Sequence, residues 1–197
     1  MTRRLVQLYA GLVLYGVSLA LQIRAGLGLD PWDVFHQGLS EKTGLSFGTI
    51  VIIVGALVLL AWIPLRQRPG IGTVSNVFVV GLAVDAALPL IPDAGPLGAQ
   101  IAMLTAGILL NAVAGAAYIG AGLGPGPRDG LMTGFVSRFG GSIGRVRTGI
   151  ELSVLAVGFA LGGTIGLGTV VYALSIGPLL HLLLPPFTIR EPVPAPA

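Results

Sequence analysis

The chain contains no cysteine and only two histidines, and charged residues make up just 10% of it. The first absence excludes disulfide frameworks, thiolate nucleophiles and Cys-ligated metals. The second leaves His36 and His181 as the only imidazoles. There is no paired-His spacing such as H-E-x-x-H, no G-x-S-x-G elbow and no P-loop. These gaps point away from an enzyme and from any bound cofactor or metal. Scarce charge excludes an ordinary soluble domain: 54% of the 197 residues are hydrophobic and the mean hydropathy is +0.91, which is membrane-protein territory. The pI is about 9.8, but the eleven Lys and Arg residues flank apolar runs and read as orientation signals. The lipid bilayer, not nucleic acid, is the expected partner.

Six stretches supply the roughly 20 apolar residues that a membrane-crossing helix needs: Leu5 to Arg24, Ser46 to Leu65, Gly72 to Ile91, Leu97 to Gly120, about Val146 to Gly163, and Gly168 to Phe187. Turn signals separate them, among them Arg66-Gln67-Arg68-Pro69-Gly70 and Pro92-Asp93-Ala94-Gly95-Pro96. Residues 191–197 are proline-rich and read as a disordered tail. The first stretch follows Arg3 and Arg4 and contains "VSLA", so it also fits a secretory signal. Its length, and its place in the repeat described next, favour a span.

At an offset of 96 residues, without gaps, 20 of the 65 pairs from Ala25 to Pro89 are identical. The chain therefore reads as one membrane domain, residues 1–190, made of two copies, about 5–92 and about 97–187. Each copy has three spans, an odd number, so the second must enter the membrane in the opposite sense. Basic residues test this separately, because they gather in cytoplasmic loops. With the N-terminus inside, Arg3, Arg4, Arg66, Arg68, Arg128, Arg138, Arg145, Arg147 and Arg190 lie inside, against Arg24 and Lys42 outside. Both termini are thus expected in the cytoplasm.

The repeat is clearest at a helix break. "AGLGLDPWD", from Ala25 to Asp33, returns as "AGLGPGPRD", from Ala121 to Asp129. Gly26 and Gly28, like Gly122 and Gly124, end one helix. Pro31 and Pro127 then suit the first position of the next, with Asp33 and Asp129 facing its positive end. Asp30 also fits an N-cap. Each break starts a short amphipathic helix, lying along the membrane surface or dipping inward with its N-terminus toward a central ligand. Because the flanking spans are already long enough to cross, length favours the surface.

Asp85 and His181 are equivalent in the repeat, and ionisable groups at membrane depth are candidates for a pathway. Each could also simply reach its own interface. Asp30, Asp33, Arg128 and Asp129 at the breaks complete the candidate ligand or pathway set. Glu151 follows Arg147 by one turn and reads as an i,i+4 ion pair. Intramembrane catalysis by Asp85 or Glu151 is the weaker alternative. Tyr15, Asn76, Asn111 and Tyr118 are expected to hydrogen-bond between helices or to line a small cavity. Tyr9, Trp32, Trp62 and Tyr172 read as interface anchors. "GIGTVS" at Gly70 fits a helix start better than a dinucleotide loop, since it recurs as "GLGTVV".

The Gly-Leu-Gly-x-x-Pro-x-Asp break, the "GLSFGT" that follows it and the duplicated six-span layout resemble the YczE/YyaS/YitT group of small bacterial integral membrane proteins, nearest to its YczE-like branch. The resemblance covers nearly the whole chain and is most specific over "GLGLDPWDVFHQGLSEKTGLSFG". The second copy departs from it with Arg128 in place of Trp32 and Gly130 in place of Val34, so the copies need not act identically. The resemblance implies a multi-pass protein of the bacterial inner membrane. The expected fold is all-α, with six transmembrane helices in two inverted repeats. Inverted repeats suit a small transporter with a small-molecule or ion substrate. A non-transporting scaffold that binds other helices, or a homo-oligomer built on glycine-rich faces, is the alternative.

Overall fold

A computed structural model of the chain describes residues 1–189; the expected disordered tail lies outside them. Eight α-helices and no strand occur among the described residues: α1 (Thr2–Ala25), α2 (Pro31–Thr43), α3 (Phe47–Leu65), α4 (Ile71–Ala87), α5 (Leu97–Gly120), α6 (Pro127–Phe139), α7 (Ile143–Ala160) and α8 (Leu167–Phe187). A 3₁₀ turn, Leu88–Leu90, extends α4. Five helices, α1, α3, α4 with its turn, α5 and α8, are long and apolar enough to cross a membrane. The other expected span corresponds to α7. That helix has only 18 residues and includes Arg145, Arg147 and Glu151 near its start. Its charge makes it a weaker membrane segment than its counterpart α3.

Helix α1 is central and packs on both α4 and α5. Small residues allow the approach. A Cβ on Gly11 would meet the Tyr118 backbone, and one on Gly16 the backbone of Val80 and Val84. The same contacts give directions: Tyr9 and Gly16 meet Ser75 and Val80, so α1 and α4 run parallel, whereas Gly11 and Ser18 meet Tyr118 and Asn111, so α5 runs against them. Leucines and isoleucines such as Leu57, Leu60, Ile63, Leu82, Leu174 and Leu182 face outward. Apolar surface on this scale suits lipid, not water.

Two reciprocal hydrogen bonds lock the helix breaks into the opposite half. The start of α4 reaches the second break, where Gly72 N donates to Leu123 O (2.8 Å), and the start of α8 reaches the first, where Gly168 N donates to Leu27 O (2.7 Å). Thr73 adds its hydroxyl, which donates to Pro125 O (2.7 Å) and accepts from Gly70 N (3.2 Å). "GIGTVS" is therefore a helix start that grips the other half. Gly28 and Gly124 make the grip possible. Their φ values of 108° and 123° are natural only for glycine, and each lies against the backbone of the opposing helix start.

The departure at Gly130 has a packing cause. The Trp62 ring occupies the space that a side chain at 130 would need, and Trp62 Nε1 donates to Pro127 O (3.0 Å). In the first copy the sizes are exchanged. Gly158, the equivalent of Trp62, lies against the backbone of Val34 and Phe35. Tryptophan over glycine in one half answers glycine under valine in the other.

Candidate functional site

Both short helices begin as their sequences predict. Asp30 is the N-cap of α2, its Oδ1 accepting from Asp33 N (2.9 Å), with Pro31 in the first turn. Gly126 caps α6 with Pro127 in the first turn. Gly126 has no capping side chain, and the Tyr118 hydroxyl comes close to it instead and donates to Asp129 Oδ2 (3.4 Å).

The placement of these helices along opposite membrane surfaces is corrected. Arg128, in the first turn of α6, reaches Asp30 (3.5 Å) and Asp33 (3.4 Å) at the start of α2, and its guanidinium carbon lies 5.1 Å from the centre of the Trp32 ring. Helices lying on opposite faces of a hydrocarbon layer about 30 Å thick could not bring their first turns within one arginine's reach. Span length was a poor guide because it says nothing of where the breaks point. Trp32, Asp33, Val34, His36 and Gly38 of α2 are all buried.

Around this meeting point is a cavity of about 160 Å³. The polar part of its wall includes Asp30, Arg128, Asp129 and Trp32, with Tyr15 and Tyr172 from the long helices. Valines 54, 58, 77 and 80 with Ile176 and Leu180 make an apolar part. The interface-anchor reading fails for three of its four residues, because Trp32, Trp62 and Tyr172 are buried. Tyr172 instead donates to Asn111 Oδ1 (3.0 Å), and Asn111 Nδ2 donates to Ser18 Oγ (2.9 Å), joining α8, α5 and α1. Asn76 and Tyr118 also line the cavity. Tyr15 meets Tyr118 edge-to-face at 6.1 Å.

Charge in the site is unevenly shared. Arg128 stays protonated because the carboxylates of Asp30 and Asp33 outweigh the burial that opposes its charge. Burial and the neighbouring Asp33 raise Asp30 to about 6 even against Arg128, and burial raises Asp33 as well. Burial lowers His36 to about 3, so its ring is neutral, and its Nδ1 lies 2.9 Å from Asp33 Oδ1. Arg147 Nε donates to Glu151 Oε1 (2.8 Å), the expected ion pair, at another part of the cavity wall.

Other candidates lie elsewhere. Asp85 accepts from Ser46 Oγ and from Gly48 N (2.7 Å), which ties the start of α3 to α4. His181 is exposed. Neither residue lines the cavity. Asp85→Asn is therefore expected to cost only about 1 kcal/mol, the scale of a weakened helix cap; thermal unfolding of the variant checks it. Gly26 and Gly122 make the αL turns, while Pro31, Gly126 and Pro127 reach the cavity. Among the described residues, no three His, Asp or Glu side chains cluster as a metal ion would require.

Five apolar spanning helices with lipid-suited outer faces, closed over a charged interior, define an all-helical membrane protein. Comparison with known sequences agrees. The chain belongs to a family of unknown function, DUF6198, whose profile matches residues 2–185. It is 36% identical over 180 residues to an uncharacterized membrane protein, YczE, of Bacillus subtilis, covering 90% of this chain and 83% of the relative. Similarity extends to an uncharacterized protein of Haemophilus influenzae, 38% identical over 173 residues (88% and 79% of the two chains). Another relative is the uncharacterized protein YyaS of Bacillus subtilis, 26% identical over 179 residues (89% of each). No solved structure matches.

Proposed function

We propose that the protein is a small permease of the bacterial inner membrane, without enzymatic activity, in which two inverted three-helix halves give alternating access to the central cavity. One observation carries the reading. The first turns of α2 and α6, one from each copy of the repeat, meet where the half-buried Arg128 reaches the buried carboxylates of Asp30 and Asp33 beside a cavity. Charges at membrane depth are costly and mark pathways. Broken helices whose N-terminal ends point at a midplane site are a recurring transporter device. The six-span arrangement takes α7 as the counterpart of α3, and the matched bonds from Gly72 to Leu123 and from Gly168 to Leu27 support the pairing of halves. A scaffold that only binds other helices would gain nothing from the buried charges.

The lack of cysteine allows a clean test. With both termini cytoplasmic, Lys42→Cys is expected to react with a membrane-impermeant maleimide only from outside the cell and Ser137→Cys only from inside. Both positions are exposed at the ends of their short helices. Labelling of both from one side would sink the inverted arrangement. Asn76→Cys and Val54→Cys, in the cavity wall, are expected to react slowly from either side. Reaction from a single side would exclude alternating access.

A further inference from the structure

In the residues that wall the cavity, one polar group has nothing to bind. Trp32 is 5% exposed and lines the cavity, yet its Nε1–H is buried without a hydrogen-bond partner. An indole N–H can only donate, and leaving it unsatisfied is costly, so the vacancy calls for an acceptor. Beside the same ring lies Arg128. Its contacts of 3.4 and 3.5 Å to Asp33 and Asp30 are long against the 2.7–2.9 Å of well-made charge-assisted hydrogen bonds. The guanidinium is a fork matched to a planar carboxylate, and it is loosely held.

We propose that the cavity binds a small organic monocarboxylate, its carboxylate on Arg128 and the Trp32 Nε1–H and its apolar tail among the valines, with one proton taken up by Asp30. This rests on the cavity being the substrate pathway. The single negative charge follows from the supply of cations: Arg147 is committed to Glu151, leaving Arg128 as the cation facing Trp32. The tail follows from Val54, Val77, Val80 and Ile176 in the wall. Small size follows from a volume below the roughly 300–1,000 Å³ of drug-sized sites.

The proton follows from charge balance. Arg128 already faces two carboxylates, so a third anion beside it would leave an excess of negative charge in a dry site. Asp30 is the group to take the proton, since it is the carboxylate that burial and Asp33 have already brought to about 6. Asp33 is held by His36 as well as by Arg128. Asp129 engages Tyr118, while Tyr15 and Tyr172 on the facing helices contribute hydroxyls and no charge. Binding takes up one proton and releases none, so affinity falls as pH rises through about 6.

The test is binding to the purified full-length chain, read by thermal stabilisation and by tryptophan emission. The probes are acetate, butyrate and benzoate, with butylammonium and inorganic phosphate as contrasts. Butyrate is expected to raise the unfolding temperature at pH 6 and to shift Trp32 emission, with affinity falling about tenfold per pH unit above that. Trp32→Phe keeps a ring and removes only the vacant N–H. It is expected to leave ligand-free stability nearly unchanged while weakening butyrate binding about tenfold. Asp30→Asn, which can still cap α2, is expected to bind as tightly at pH 8 as at pH 6. No response to any carboxylate, a response to butylammonium instead, or undiminished butyrate binding by Trp32→Phe would each overturn the inference. Binding needs no flux. Carboxylate binding with one-sided cavity access would overturn the permease and leave the site, and two-sided access without carboxylate binding would do the reverse.

Discussion

Gly28→Ala is expected to destabilise the protein by about 3–5 kcal/mol and to leave little monodisperse material after purification. Two costs combine. At φ 108° an L-residue stores strain of roughly 1–3 kcal/mol. Its Cβ would also fall 2.5 Å from Gly166 N, and such overpacking typically adds about 1–3 kcal/mol. The clash lands beside the bond from Gly168 N to Leu27 O, so relief by movement would break the link between the halves. Gly26→Ala is the control. Its φ of 68° is similarly left-handed, but no atom lies within 4 Å of the added methyl, so only about 1–2 kcal/mol of backbone strain is expected. Thermal unfolding of the two variants side by side checks the difference; equal losses would mean that the interlock contributes nothing.

Arg128→Met should be almost as damaging. It leaves Asp30 and Asp33, 4% and 2% exposed at their side chains, facing each other without a cation. Removing one partner of a buried ion pair costs about 3–5 kcal/mol. The lower end applies here, since Arg128 keeps 27% of its side-chain surface accessible. The penalty belongs to the stranded carboxylates and not to the lost arginine, so adding Asp33→Asn to Arg128→Met should recover part of it. The pH dependence has a definite sign. Asp30 is raised to about 6, and loss of Arg128 can only raise it further, so its part of the deficit is expected to shrink as pH falls toward 6 and to change little below that, where Asp30 is protonated in both proteins. Apparent stabilities of wild type, both single variants and the double variant at pH 5 and pH 8 give the coupling directly.

Much of the scaffold was legible because its determinants are local. Apolar runs and their punctuation located α5 and α8 to within a residue of the observed bounds, and Pro31 and Pro127 marked the starts of α2 and α6. The Arg147–Glu151 pair followed from i,i+4 spacing. What could not be read from spacing was where Trp32 and Tyr172 point, since an aromatic near a helix end suits an interface and an interior equally. Asp85 shows the same limit of spacing. It lies far along its span in sequence, and its carboxylate serves the start of α3, a contact between residues 37 positions apart that no local pattern marks. Trp32 and Arg128 are 96 residues apart, the repeat offset itself, which marks them as counterparts but not as neighbours.

That coincidence has a consequence for how such a site can arise. Two residues that are counterparts in the copies and also touch each other must sit where the copies face one another. In a pair of identical three-helix chains, that spot would confront each residue with itself. Arginine would meet arginine and be repelled; tryptophan would meet tryptophan and bring no charge. A guanidinium stacked on an indole requires that one copy carry Arg128 and the other Trp32, and hence that the copies be free to differ. The contact between Arg128 and Trp32 thus belongs to the join and to neither copy alone. Swapping the two residues between halves would exchange which copy supplies the charge and which the ring.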